Sequence, residues 1–177
     1  GKVVNNRQSD RDGSDSMNKQ ALAELISKQK PGYALDQEFY QDGEIYQRDI
    51  ERIYLKSWLY TGHQSEIPNK GDFFLYKMAD EEGIVLRGDD GQISTLLNVC
   101  RHRGSRVCLE AKGNSKRLSC PYHGWTYDLD GKLIAAAHMD ESFDKSGFGL
   151  KKVHHRVYQG MIFINFASEP SNFDVVE

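Results

Sequence analysis

CPYHGWTYD, residues 120–128, sets a cysteine and a histidine three apart, closes on a glycine and runs on into a tryptophan and a tyrosine. Two donors do not complete a metal site, and the complement lies upstream in NVCRHRGSRVC, residues 98–108. There Cys100 and His102 stand two apart, and 17 residues separate His102 from Cys120. The pattern is C-x-H-x17-C-x-x-H, with one cysteine and one histidine from each of two segments. Each histidine is followed closely by a glycine, Gly104 or Gly124, and glycine accepts positive φ and close backbone approach.

Three readings of the four residues compete. Two Cys and two His are a common structural zinc set, although zinc usually takes its cysteines as one C-x2–4-C pair and its histidines as another. A Rieske [2Fe–2S] centre has two Cys on one iron and two His on the other, which suits a mixed pair from each loop. The third reading is coincidence between two ordinary turns.

The surrounding sequence reads as short strands. Beyond Gly62, DFFLYKM, IVLR and ISTLLNV are β-branched and aromatic runs divided by the turn clusters ADEEG and GDDGQ. WTYDL-DG-KLIAA has the Asp-Gly signature of a hairpin, and MIFINF, residues 161–166, is a buried final strand. KRLS leads into the second ligand segment and WTYDL out of it. Such punctuation indicates a small antiparallel sandwich or barrel.

The N-terminal part differs. Residues 1–16 read as a disordered polar leader. From Asn18, a plausible N-cap, NKQALAELISKQK puts Ala21, Leu22, Leu25 and Ile26 on one helical stripe, and Pro31-Gly32 ends the run. EIYQRDIERIYLKSWLYTG suggests a second helix, with Ile50, Ile53, Tyr54 and Trp58 at three- and four-residue steps. The domain reading is a leader over 1–16, a helical segment over 17–60, a β module over 61–170, and the start of a linker over 171–177.

Bulk properties narrow the classes. The 177 residues carry a formal net charge of -3 with pI about 6.1, so a nucleic-acid partner is not expected. No apolar run reaches the length of a membrane span and no secretory signal is present, so no membrane is expected. Three cysteines without disulfide-like spacing indicate a reducing compartment and a cytoplasmic protein.

CRHRG and CPYHGWTYDLDGKL, with WLYTGHQSEIPNKGDFFLY, LNVCRHRGSRVC and GMIFINF, resemble the Rieske domain of the α-subunits of ring-hydroxylating Rieske non-heme iron oxygenases. The resemblance covers roughly residues 32–170, and the helical entry PGYALDQEFYQDGEIYQRDIERIYLKSWL resembles the branch acting on quaternary ammonium compounds. It implies a mainly β, Rieske-type antiparallel sandwich or barrel with two ligand-loop hairpins, preceded by helices. It also implies a [2Fe–2S] cluster with Cys100 and Cys120 on one iron and His102 and His123 on the other, His123 being the electron exit. A reductase or ferredoxin is the expected donor, and neighbouring oxygenase subunits are expected partners through a catalytic domain.

Two departures shape that reading. Cross-linked respiratory relatives carry two further cysteines where this chain has Ser105 and Tyr122, so no such disulfide can form. The catalytic domain's D-x-x-H-x4-H, which begins a two-histidine, one-carboxylate site for mononuclear Fe(II), does not occur in this chain. The expectation is therefore an electron-transfer half that does not turn over substrate alone. A stand-alone Rieske ferredoxin and a zinc-stabilised interaction module are the rivals.

Other residues near the ligands have assigned expectations. Trp125 reads as both core and cluster shield, Tyr127 as plain core, and Tyr122 as a hydroxyl reaching a cluster sulfur or a ligand. Arg101, Arg103 and Arg106 concentrate positive charge around the first loop, for which solvated surface is the simple reading; Arg101 reads so, and Arg103 equally as surface or as a docking charge. Cys108 reads as a small packed residue, and His63, His154 and His155 as structural or surface residues.

Overall fold

The first helix of the chain stops at Ser27, short of the Pro31-Gly32 pair expected to end it. The structure, a computed structural model, describes residues 12–174 and divides between Arg52 and Ile53 into two compact units. In the first unit α1 spans Asp12–Ser27. It therefore begins before the expected cap at Asn18, and residues 12–16 of the expected leader are helical; residues 1–11 lie outside the described residues. Leu22 and Leu25 are half-buried while Ala21 and Ile26 are exposed, so the apolar stripe is narrower than expected.

A short α2 (Glu38–Gln41) precedes α3 (Gly43–Arg52). Asp42 Oδ1 accepts the backbone N–H groups of Glu44 and Ile45 at 2.8 and 3.0 Å, satisfying two of the orphan donors of α3. The second helix ends ten residues earlier than the period suggested. A 3-10 turn at Tyr54–Lys56 and a strand from Leu59 replace its last part, so Leu59 and Tyr60 leave the expected helical segment. Long-range pairing outweighs helical periodicity here: Trp58 Nε1 donates to Ser171 O at 2.9 Å, and Leu59 and Tyr60 pair with Ile164 and Phe163.

The second unit is built on β1 (Leu59–His63), β2 (Asp72–Met78), β3 (Glu81–Arg87), β4 (Ile93–Leu97) and β5 (Lys112–Asn114). It continues with β6 (Leu118–Ser119), β7 (Thr126–Tyr127), β8 (Leu133–Ala135), β9 (His154–Tyr158) and β10 (Met161–Asn165). They form three antiparallel sheets, ordered β1-β10-β9, β4-β3-β2-β5 and β6-β7-β8. β2 and β10 fall where sequence placed them; β1, β5 and β9 had no sequence signal strong enough to be called.

β3 explains the layering. Ile84, Val85 and Leu86 are all fully buried, yet successive strand side chains point to opposite faces. Ile84 and Leu86 pack into a core with Leu96, Leu118 and Tyr127, whereas Val85 joins Ile67, Ile162 and Ile164 in a second core. A strand covered on both faces reads as a continuous apolar run, which is why IVL does not alternate. In β10, Ile162 and Ile164 are buried and Met161 and Phe163 half-buried, so that strand is covered mainly on one face. Its buried Asn165 is satisfied by Lys56 O and the Ala167 N–H. Among the described residues, no helix is long and apolar enough to cross a membrane.

Candidate metal centre

Both ligand segments fold as the same six-residue turn. Cys100 N donates to Ser105 O at 2.8 Å and Gly104 N to Cys100 O at 3.0 Å; Cys120 N donates to Trp125 O at 2.8 Å and Gly124 N to Cys120 O at 3.0 Å. The common unit is Cys-x-x-x-Gly-x, with the histidine at its third place in one loop and its fourth in the other. Gly104 and Gly124 have φ of 78° and 73°. A Cβ on Gly104 would meet nothing within 4 Å and one on Gly124 only Ala137 Cβ at 3.6 Å. Glycine is needed here for its backbone angle, and the close approach expected beside it does not occur.

The turns bring the donors together in matched pairs. His102 Nδ1 and His123 Nδ1 stand 3.1 Å apart. The Cys100 and Cys120 thiols are near enough to act on each other's charge, and the backbone N–H groups of Tyr122 and His123 favour the charged form of the Cys120 sulfur. Both cysteines are buried, while both histidines are half-exposed. Burial, followed by the nearby Cys100 thiol, pushes the Cys120 thiol up despite those two backbone donors. Burial holds His123 below the usual imidazole range, with His102, Arg103 and His138 adding repulsion.

The donor set fits a two-iron cluster. Two nitrogens each about 2.0–2.1 Å from a tetrahedral metal stand roughly 3.3 Å apart, close to the observed nitrogen pair. Among the described residues, no three or more His, Cys, Asp or Glu side chains are grouped to hold a single ion. Sulfur faces sulfur and nitrogen faces nitrogen, which suits two metals with two ligands each.

The aromatics divide their work differently from expectation. Trp125 is 1% exposed and stacks on His102, with ring centroids 4.8 Å apart and planes 15° apart. Phe143 and Phe148 flank it, each at 5.7 Å. The residue is thus core, and it covers one face of the His102 ring. Its buried Nε1 has no hydrogen-bond partner among the described residues. Tyr122 is 59% exposed and lies with its ring against His123 at 3.8 Å. The hydroxyl contact to a sulfur belongs instead to Tyr127, whose OH is 3.2 Å from Cys100 Sγ and accepts the Arg101 N–H at 3.1 Å. Tyr127 is buried as expected but is more than core, because β7 points its side chain under the first loop.

The remaining residues separate clearly. Arg101 and Arg103 are exposed, and Arg103 is close enough to His123 to act on its charge. Arg106 is not plain solvated surface: it pairs with Glu82 through two hydrogen bonds of 2.8 Å. Cys108 is half-buried and packed against the first core. His63 caps a 3-10 turn through the Ser65 N–H, and His154 reaches Ser168 O. His138, which sequence left unassigned, adds to the charge around His123.

The description "Rieske [2Fe-2S] domain" matches residues 57–154. The glycine betaine monooxygenase oxygenase subunit of Pseudomonas aeruginosa is 40% identical over 157 residues, covering 88% of this chain and 37% of that protein. Among solved structures, naphthalene 1,2-dioxygenase from Rhodococcus sp. superposes with a TM-score of 0.77 at 30% identity, covering 87% of this chain and 36% of that one. The quaternary ammonium Rieske monooxygenase CntA gives 0.70 at 33% identity, covering 76% and 38%. The chain therefore spans a little over a third of the length of these relatives.

Proposed function

The chain belongs to the Rieske [2Fe–2S] domain family, and from that premise we propose that Cys100, His102, Cys120 and His123 hold the cluster of an oxygenase α-subunit. The observation that carries the assignment is the pairing of the two loops, which sets His102 Nδ1 3.1 Å from His123 Nδ1 with both cysteines buried. The bound cluster supplies one-electron transfer. Cys100 and Cys120 would supply thiolates to one iron, and His102 and His123 would supply Nδ1 to the other. Tyr127 donates its hydroxyl proton toward the Cys100 sulfur, and Trp125 with Phe143 and Phe148 excludes water on the His102 side. His123 turns Nδ1 to His102, which leaves Nε2 on the opposite edge of a half-exposed ring as the electron exit and a place to hold a proton. Its donor is a reductase or ferredoxin, and its acceptor a mononuclear iron beyond this stretch of chain, in a neighbouring subunit.

The substrate class follows from the same likeness. The 40% identity with a glycine betaine monooxygenase subunit favours quaternary ammonium substrates over aromatic hydrocarbons, although the dioxygenase superposes with the higher TM-score. Sequence identity is the better guide, since fold alone does not carry function.

Metal analysis and spectroscopy test the cluster. About two irons and two acid-labile sulfides per chain, with a rhombic EPR signal on reduction, are expected. A colourless protein holding one zinc overturns it. An in-frame D-x-x-H-x4-H downstream of residue 177 supports the oxygenase; a stop codon there makes the chain a carrier.

A further inference from the structure

The two ligand turns are alike, but their bases are not. The second is closed by a backbone ladder, with Ser119 paired to Thr126 and Leu118 to Tyr127 across β6 and β7. The first leaves β4 at Leu97 and returns through Val107 and Cys108 with no strand on the returning side. Its two limbs are joined instead by one side chain.

Asn98 is 1% exposed and uses its whole hydrogen-bonding capacity. Oδ1 accepts the N–H groups of Val107 and Cys108 at 2.9 and 2.8 Å. Nδ2 donates to Cys108 O at 2.8 Å and to Glu82 Oε2. Reversing the amide would set its NH2 against two backbone N–H groups, so the orientation is determined. Glu82, in β3, is anchored in turn. Its side chain is 13% exposed, its carbonyl accepts the Asn98 N–H at 2.8 Å, and its carboxylate takes both Arg106 hydrogen bonds. An exposed ion pair contributes little. Here a mostly buried carboxylate receives three donors, and losing Arg106 leaves it short of partners.

We infer that Asn98, Glu82 and Arg106 form a staple that positions the first ligand loop, doing with side chains what the β6–β7 ladder does for the second. Asn98 and Arg106 bracket Cys100 and His102, so the staple determines where those two donors stand relative to Cys120 and His123. None of the three touches the four donors; they are positioning residues. Ser105 and Tyr122 leave the loops without a cross-link, so hydrogen bonds carry this task. The inference rests on the cluster assignment above.

The test uses the cluster-loaded chain and its N98D, E82A and R106A variants, with I162V as a control in the other core. Chelator-driven bleaching of the visible spectrum and the EPR g-values are read at temperatures equally far below each variant's Tm. N98D and E82A are expected to lose the cluster about tenfold faster and to shift the g-values, the usual scale for residues that orient metal ligands. R106A is expected to speed loss alone but to add nothing to E82A, because it acts through Glu82. R106K is expected to recover part of the effect. R106A removes a side chain that is 51% exposed and so tests the staple even if N98D does not fold. Loss rates and g-values matching those of I162V overturn the staple. A parent chain without the rhombic signal overturns the cluster assignment and, with it, this inference.

Discussion

The Tyr127 hydroxyl stands 3.2 Å from Cys100 Sγ, joining the strand that leaves the second loop to the first ligand of the other. A hydrogen bond to a ligand sulfur stabilises the more negative, reduced state and so raises the potential. One such bond contributes about 1 kcal/mol, which for one electron is roughly 40 mV. Tyr127→Phe is therefore expected to lower the midpoint potential by roughly that much while the EPR signal stays rhombic. A potential unchanged in redox titration removes the hydroxyl from the tuning of this site.

His123 and His102 share one proposed iron, so losing either leaves it a ligand short. His123→Ala is expected to abolish the rhombic EPR signal and the visible spectrum of the Rieske type. An unaltered spectrum in that variant refutes the assignment of His123.

Glycines with the same φ differ in what surrounds them. Gly104, at φ 78°, has open space where a Cβ would stand; Gly131, at φ 83°, has Leu96 Cδ2 at 2.8 Å and Leu150 Cβ at 3.4 Å. Gly104→Ala then costs only the left-handed conformation, about 1–2 kcal/mol, whereas Gly131→Ala adds overpacking of about 1–3 kcal/mol. Urea unfolding is expected to rank Gly131→Ala as the more destabilised, and the reverse order contradicts the packing described.

Burial, reinforced by the Glu82 carboxylate and partly opposed by Arg106, pushes the Cys108 thiol up to about 11. The folded state then holds that proton more firmly than the unfolded chain, whose thiol titrates near 8.5. Its contribution to stability is complete below the unfolded value and is lost as pH rises through about 8.5 to about 11. In the cluster-loaded protein at pH 8, iodoacetamide is expected to label Cys108 on the order of a hundredfold more slowly than in urea. Equal rates contradict the protected thiol.

The four proposed donors and their glycines were legible because a metal dictates residue type and a tight turn dictates spacing, and both are local. The β2, β4 and β10 runs were legible for a similar reason, since β-branched and aromatic residues mark strands. Ile53, Tyr54 and Trp58 misled because their helical spacing is also local, while the partners that make a strand of the adjoining Leu59 and Tyr60, Ile164 and Phe163, lie more than a hundred residues on.

What the sequence by itself determined is the proposed donor set, its division between two similar turns, and the mainly β class. Only the tertiary structure decided which side chains support those turns. Tyr127 lies 27 residues from Cys100, Glu82 lies 16 from Asn98 and 24 from Arg106. Strand pairing brings such residues together, and a hydrogen bond leaves no periodic mark in sequence. Tyr122, beside the ligands in sequence, lies on the surface against His123, and Tyr127, which reads as plain core, holds the hydroxyl at the sulfur.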